Sequence, residues 1–555
     1  MPAGGGPPAR GGGALAVGAG ILASRLAGFA RAAVTSAAFG VGPVADVLQT
    51  ALRAPNLLQN LLGEQALSAS FIPVYSRLLA EGRHEAARRF AGAAFGLLAA
   101  VAAAMALAGV LLARPIVSIF AVGYLGDAAR VAAGELAVDR FELAVAAVRW
   151  TFPMTALLVL SAWALGVLNS HRRFFLSYVA PVVWNGAIVA ALLWGMLGGE
   201  RDGERLLIVA CAGALVGGLL QFLVQVPAVL RELGGFRPSL STSVEGVREA
   251  FGAFGPAVAG RGVVQLSSYL DQILASLLAV GAVSALGYAQ LLYLLPVALF
   301  GQSLAAAALP ELASARAGGG VDGELAAATR RALGRAGSLN LPTAVAYLLL
   351  GPLIVGALYR LLPGRFGVAE TWLVGLVLGG YAFGLPASTG SRVLQSAFFA
   401  LGDTGTPARA AALRVGLGAV LAVPAMLSLD RVALSALPGL QVLGSTPLRL
   451  GALGLALAAS VAAWVEWVWL SRRLERRIPG FRWPVREAGG ALGAALAGGA
   501  AGLLVWRLLP ADWPPIAMAA LAGGAFLAGF VAVTMAFGLP LPWRVGSTGR
   551  GSDRP

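Results

Sequence analysis

The stretch ILASRLAGFARAAVTSAAFG, Ile21 to Gly40, decides the fold. A hydrocarbon core about 30 Å thick needs about 20 apolar residues in helix per crossing, and this segment is long and apolar enough. Yet Arg25 and Arg31 interrupt it. Working outward, similar runs recur along almost the whole 555-residue chain. Of its residues 58% are hydrophobic and only 12% charged, with a mean hydropathy of +0.79. A soluble chain carries about 25% charged residues, so the sequence reads as an all-α polytopic membrane protein.

The apolar runs predict fourteen crossings, roughly at 14–39, 46–79, 90–112, 147–169, 176–197, 206–230, 248–279, 286–310, 338–360, 370–400, 408–429, 449–470, 487–509 and 514–538. Segment 113–146 is mixed in charge and reads as a surface helix and loop. Residues 1–13 and 539–555 read as cytoplasmic tails, the first disordered and too Gly/Pro-rich for a signal peptide. Arginines crowd the loops on one side, including Arg77, Arg83, Arg88, Arg89, Arg172, Arg173 and the SRRLERR cluster from Ser471. The excess of cations on the cytoplasmic face then puts both termini in the cytoplasm. A short internal likeness joins GEQALSASFIP (Gly63 to Pro73) and GQSLAAAALP (Gly301 to Pro310), each closing a long helix before a basic loop. Transporters are often built from such repeats.

Several function classes fall away. The net charge of +15 comes from 41 arginines and no lysine; they do not gather on a soluble domain, so no nucleic acid partner is read. Without lysine there is no P-loop, and neither HExxH nor an Asp-rich metal motif is present. No enzyme and no cofactor are predicted. The lone Cys211 excludes a disulfide framework and a thiol metal site. His84 and His171 sit among arginines in short loops and read as solvated residues rather than a metal pair.

Six arginines are read as intramembrane: Arg25, Arg31, Arg53, Arg149, Arg261 and Arg392. Each costs about 2.5–3.5 kcal/mol at a helix centre on insertion scales, so such residues face a wet cavity or a partner. Arg149 and Arg392, near span ends, can snorkel to the headgroups. In the second span Gln49, Arg53, Asn56, Asn60, Glu64 and Ser68 fall on one stripe about 100° wide at 3.6 residues per turn. Arg53 and Glu64 lie about 16 Å apart along one helix, too far to pair. That stripe, with Ser24, Arg25, Gly28 and Arg31 of the first span, predicts guanidinium groups in a central cavity. Guanidinium forks match phosphate and carboxylate oxygens, so the residues point to a transporter of something anionic.

Motifs then make a family visible. SRLAGFAR, ALRAPNLL and ALSASFIPVYSRLL resemble the N-terminal signature of the MurJ (MviN) lipid II flippases, within the multidrug/oligosaccharidyl-lipid/polysaccharide exporter superfamily. The resemblance continues through RWTFPMTALLVLSAWALGVLNSHRRF, VAPVVWN, FGPAVAGRGVVQLSSYLDQILAS, LLYLLPVALFGQSLAAAALPELA and AFFALGDTGTP, from about residue 14 to 480. It implies two pseudo-symmetric bundles around a central cavity, 14–232 and 245–480, with 487–538 forming a groove for the lipid tail. It further implies flipping of lipid II, the undecaprenyl-pyrophosphate disaccharide-pentapeptide, to the outer leaflet of the bacterial cytoplasmic membrane by alternating access. The expected partners are lipid II, membrane lipids and cell-wall synthesis enzymes, and the expected state is a monomer.

By resemblance, Arg25 and Arg31 would contact the pyrophosphate or headgroup, Arg53 and Glu64 would line the path, and Asp46 would act near the outer gate. The chain also departs from the family pattern. Gln59 and Asn60 follow PNLL where the family carries arginine, Gln290 and Leu291 stand in the eighth span where it carries charge, and Ala32 replaces an acid. Arg261 and Asp271 of the seventh span are extra, and Arg261 would restore part of the lost positive field. The alternatives are export of another polyprenyl-linked saccharide and a transport-inactive scaffold. Lacking an ATP site, transport would draw on an ion gradient or the membrane potential, with Glu64, Asp46, Asp271 and Glu466 the candidate carboxylates; for Glu466 the headgroup-facing reading is favoured.

Overall fold

The computed structural model describes residues 12–302, 322–441, 447–478, 481–510 and 512–538, with Leu304, Ala308 and Leu312 between the first two ranges. Of the tail read at 1–13, only Gly12 and Gly13 are described, and they already belong to the first helix; the tail at 539–555 lies outside the described residues. No strand is formed among the described residues. The only bridge there is an isolated one, between Ala433 and Arg449. Two compact units divide the chain, one up to Leu277 and one from Leu278.

The first unit contains α1 (Gly12–Phe39), α2 (Pro43–Leu62), α3 (Glu64–Ala80), α4 (His84–Leu111), α5 (Ala113–Phe120), α6 (Asp127–Ala132), α7 (Arg140–Ser170), α8 (Phe174–Leu197), α9 (Gly203–Leu233) and α10 (Val247–Ser276). α7 is its hub, packing on α2, α3, α4, α5 and α9. Its start is capped by Asp139, whose carboxylate accepts the N–H groups of Phe141 and Glu142; such caps satisfy otherwise orphaned donors. Lipid offers no hydrophobic drive between helices, so small residues and buried polar bonds do the joining. Gly213 meets Ala191 and the Ala187 carbonyl, while Gln221 and Gln225 of α9 both donate to Ser161 of α7 at 3.0 and 2.5 Å.

In the second unit α11 (Ala282–Pro296) runs into a π-helical turn, Val297–Gln302. There follow α12 (Asp322–Tyr359), α13 (Val368–Ala400), α14 (Gly405–Asp430), α15 (Gly451–Arg477), α16 (Val485–Leu508) and α17 (Pro515–Ala536). α12 packs on α13, α13 and α14 on α15, and α16 on both α12 and α17. The GDTGTP motif explains how α14 begins. The Asp403 carboxylate accepts the Thr406 N–H at 2.8 Å and its hydroxyl at 2.7 Å, and these donors hold the carboxyl below the usual range.

Among the described residues eleven helices are long and apolar enough to cross a membrane, or twelve if a bent pair counts as one span. Fourteen were expected. Those outside the eleven include α1, the α2–α3 pair and α10, the segments that carry Arg25, Arg31, Arg53 and Asp271. The span read as continuous over 46–79 is broken at Gly63, whose ψ of −141° leaves the helical region. A Cβ there would stand 2.3 Å from the Gln59 carbonyl oxygen. Its counterpart in the sequence repeat, Gly301, falls in the π-helical turn, so both glycines mark helix irregularities; most of the repeat beyond Gln302 lies outside the described residues. α10, read as opening the second bundle from 245, packs instead on α2 and α3 within the first unit.

Segment 113–146 also departs from its surface reading. Val117, Ala121 and Tyr124 are buried, and the two arms of the bent pair, Ala113–Phe120 and Val122–Ala132, meet at 104°. Gly123 lets the turn touch α10, its N–H reaching the Ser276 hydroxyl at 3.2 Å. A Cβ on Gly123 would stand 1.9 Å from the Ser276 carbonyl oxygen, whereas one on Gly186 in α8 meets nothing within 4 Å. Gly123→Ala is expected to cost about 1–3 kcal/mol by overpacking, with Gly186→Ala neutral or stabilising. Thermal unfolding of the two variants in detergent checks this.

Candidate functional site

α1 presents Ser24, Gly28 and Arg31 at i, i+4 and i+7, one helical face, with Arg25 beside it. Arg25 is exposed and Ser24 and Gly28 half-buried; a Cβ on Gly28 would meet no atom within 4 Å. The face is held by α8. Gly20 sits on Tyr178, where an added Cβ would be 2.8 Å from the tyrosine Cβ. Farther along, the Arg31 guanidinium lies over the Trp184 ring at 5.0 Å, an attraction between cation and ring face that strengthens away from water. Trp184 is fixed by its indole N–H, 3.1 Å from the Ala214 carbonyl and 3.2 Å from the Met154 sulfur. Two motifs distant in sequence, SRLAGFAR and VAPVVWN, thus meet.

On α2, Arg53, Asn56 and Gln59 are half-buried and Asn60 is exposed. The polar stripe is real along α2 but stops at the Gly63 break. Ser68 is exposed on α3 and no longer continues the same helix face. The Glu64 and Arg261 side chains lie outside the described residues, while Asp271 is half-buried on α10.

Asp46, read as a loop residue at an outer gate, is in the first turn of α2 and fully buried. Its carboxylate lies 3.7 Å from Arg140, which is 1% exposed. Arg140 also donates to Asp127 at 2.5 and 3.1 Å and lies over the Tyr124 ring at 4.3 Å. The Tyr124 hydroxyl is 3.4 Å from Thr50, and the Thr151 hydroxyl donates to the Ala51 carbonyl at 2.8 Å. Half-exposed Arg130 stands 3.7 Å from Asp127 and 3.3 Å from Glu135, so Arg140 is the buried cation that Asp46 and Asp127 share. The sequence reading missed Asp127 and Arg140. They lie thirteen residues apart across a turn, and no helical spacing links them.

A second charged group occupies the other unit. Glu466, read as facing the headgroups, is 1% exposed. It accepts from Arg414 at 3.1 Å and from Gln395 at 3.0 Å, and Arg414 also donates to Ser388 at 3.2 Å. Arg392, read as able to snorkel, is only half-buried but has its Nε buried, and with Thr389 it lies beside Gly301. Gln290, at a position of lost family charge, donates to the Tyr381 hydroxyl at 2.9 Å. These groups form a polar seam through α11, α13, α14 and α15. His171 is no solvated loop residue either: its Nε2 is 3.0 Å from the Tyr75 hydroxyl and its Nδ1 3.4 Å from Glu232, with its pKa lowered chiefly by burial.

A groove of about 680 Å³ runs over α12, α13, α15 and α16, between Leu348, Trp372, Gly379, Leu457 and Trp506, with Arg507 at its edge. Trp372 and Trp506 stack at 5.8 Å.

Breaking a buried ion pair by removing one partner costs about 3–5 kcal/mol. Arg140→Met is therefore expected to lower stability by that order, and adding Asp46→Asn and Asp127→Asn to recover part of it. Thermal unfolding in detergent of the single and triple variants reads both effects.

Residues 35–522 match the family described as Lipid II flippase MurJ. A probable lipid II flippase MurJ of Rhizobium tropici is 33% identical over 471 residues, 83% of this chain and 80% of the relative. Lipid II flippase MurJ of Burkholderia cenocepacia is 31% identical over 398 residues, 70% of this chain and 73% of that one. Among solved structures, a lipid II flippase MurJ in an inward closed conformation shares the fold with a TM-score of 0.71 at 20% identity, covering 94% of this chain and 99% of the other. An inward-facing multidrug resistance MATE family transporter of the MOP superfamily aligns with a TM-score of 0.57 at 16% identity, over 82% and 95% of the two chains.

Proposed function

The chain belongs to the lipid II flippase MurJ family, and from that premise we propose that it carries lipid II across the bacterial cytoplasmic membrane by alternating access. The observation that carries the reading is the pair of cations on α1 within a chain of this family: exposed Arg25, with Arg31 held against Trp184 and Gly28 beside open space. A guanidinium fork matches phosphate oxygens bidentately, so Arg25 and Arg31 bind the pyrophosphate. Arg53, Gln59 and Asn60 line the path of the headgroup, where the two amides donate hydrogen bonds in place of charge. Glu64 is assigned to the same path by its family position alone, and Ser24 and Gly28 leave room for the headgroup.

Asp271 couples the switch to an ion, and Asp46 acts indirectly, by holding the start of α2 through Arg140. The groove under Trp372 and Trp506 takes the lipid tail, with α16 supplying one wall; this extends the tail site of 487–538 onto α12, α13 and α15. Both termini face the cytoplasm, and the chain works as a monomer alongside cell-wall synthesis enzymes. A second reading, export of another polyprenyl-linked saccharide, is favoured by one observation: the family's arginines after PNLL are replaced by Gln59 and Asn60.

Depleting the native lipid II flippase of a bacterial host and supplying this chain tests the reading. Wild type should restore growth, and Arg25→Ala and Arg31→Ala should abolish it at equal membrane abundance. Rescue by both variants would refute the pyrophosphate role of these arginines. Failure of an abundant, inserted wild type would move the assignment to the second reading. Arg261→Ala should reduce transport several-fold if this arginine restores field lost at Gln59 and Asn60; an unchanged rate would remove it from the site.

A further inference from the structure

One surface of the second unit adjoins the tail groove at Phe383, which lines both, but its other residues have no part in that groove. On α15, Val461, Val465, Val468, Arg472 and Arg476 follow one another at i, i+4, i+7, i+11 and i+15 and are all exposed, forming a single stripe. Beside it a groove of about 650 Å³ is closed by Phe383 of α13 and by Trp464 and Trp469. From Val461 to Arg476 the stripe measures about 22 Å at 1.5 Å per residue. That reach runs from the middle of a core about 30 Å thick to the headgroups of one leaflet.

The chemistry is split along this length. The deep part is valine and aromatic ring, and the Trp464 indole N–H is already satisfied by the Phe383 carbonyl at 2.9 Å. The shallow part holds three arginines. Neighbouring charges are engaged elsewhere: Arg477 lies 3.8 Å from Asp403, Arg414 pairs with Glu466, and Glu475 accepts the Trp483 indole N–H. Arg473 lies over the Trp469 ring at 4.4 Å. Among the described residues, no carboxylate lies within ion-pair distance of Arg472, Arg473 or Arg476. An apolar groove one leaflet deep, ending in three arginines without acidic partners, complements a molecule with an acyl chain and an anionic head.

We propose that this face of α15 binds an anionic phospholipid, its phosphate held by Arg472, Arg473 and Arg476 and one acyl chain lying along Val461, Val465 and Val468 against Trp464 and Phe383. Basic pockets beside membrane helices hold such headgroups, and each arginine near an anionic surface adds about 1 kcal/mol. The site depends on the chain spanning a membrane and not on the cargo it carries.

The test is thermal unfolding of the purified full chain in neutral detergent, titrated with phosphatidylglycerol or phosphatidylcholine. Phosphatidylglycerol should raise the midpoint saturably, and phosphatidylcholine should not. Arg472→Gln/Arg473→Gln/Arg476→Gln should raise the half-saturating concentration on the order of 100-fold. Val465→Glu/Val468→Glu should weaken it with the arginines intact, and Arg83→Gln/Arg88→Gln/Arg89→Gln should leave it unchanged. Equal responses in wild type and the α15 variants would overturn the site, as would an equal effect of phosphatidylcholine. A matching effect of glycerol phosphate would assign a free-phosphate site instead, and displacement of phosphatidylglycerol by a polyprenyl diphosphate would assign the face to the carrier lipid. A change of oligomeric state in the variants without lipid dependence would make it an interface between copies.

Discussion

One buried arginine ties three segments of the first unit together. Arg140 begins α7 almost without solvent contact, and it is held by Asp127 of α6, Asp46 of α2 and the Tyr124 ring. An unpaired charge there would carry the several kcal/mol that desolvation costs each ion, so the three segments keep their places together. Gly123, next to Tyr124, extends the arrangement to the end of α10 through Ser276. The start of α2, the helix that carries Arg53, Gln59 and Asn60, is thereby set by charge pairing as well as by apolar packing.

The second unit solves the same problem with different residues. Glu466 is buried, and it is satisfied by Arg414 and Gln395 from two other helices. Around it Tyr293, Tyr381, Ser388 and Gln290 form a chain of hydrogen bonds and a stacked ring pair. In both units the carboxylates that sequence reading assigned to gating or to the headgroups are first of all structural partners of arginines. A buried polar group whose partners are all present helps define one packing, and the same group with a partner removed destabilises it.

Much of the molecule was legible from residue order. Twenty-residue apolar runs in a chain with 12% charge admit little besides a helical bundle in lipid, because backbone polar groups must bond internally there. The α1 face was legible as well, since Ser24, Gly28 and Arg31 share a face through helical spacing alone. The α2 stripe was legible only to Gly63. Helical periodicity carried it on through Glu64 and Ser68, whereas the backbone leaves the helix at Gly63 and the face changes. Segment 113–146 misled for a related reason: its charges resemble a solvated loop until Asp127 and Arg140 are seen to neutralise each other.

The sequence by itself determined the solvent, the helical class, the family motifs and the identity of the costly cations, because hydropathy and helical spacing are local properties. Tertiary structure alone decided which cation meets which partner. Arg31 is 153 residues from Trp184, Asp46 is 94 from Arg140, and Arg414 is 52 from Glu466. Pairings over such separations depend on how helices cross and on where a glycine breaks one, and no periodicity within a single helix encodes either.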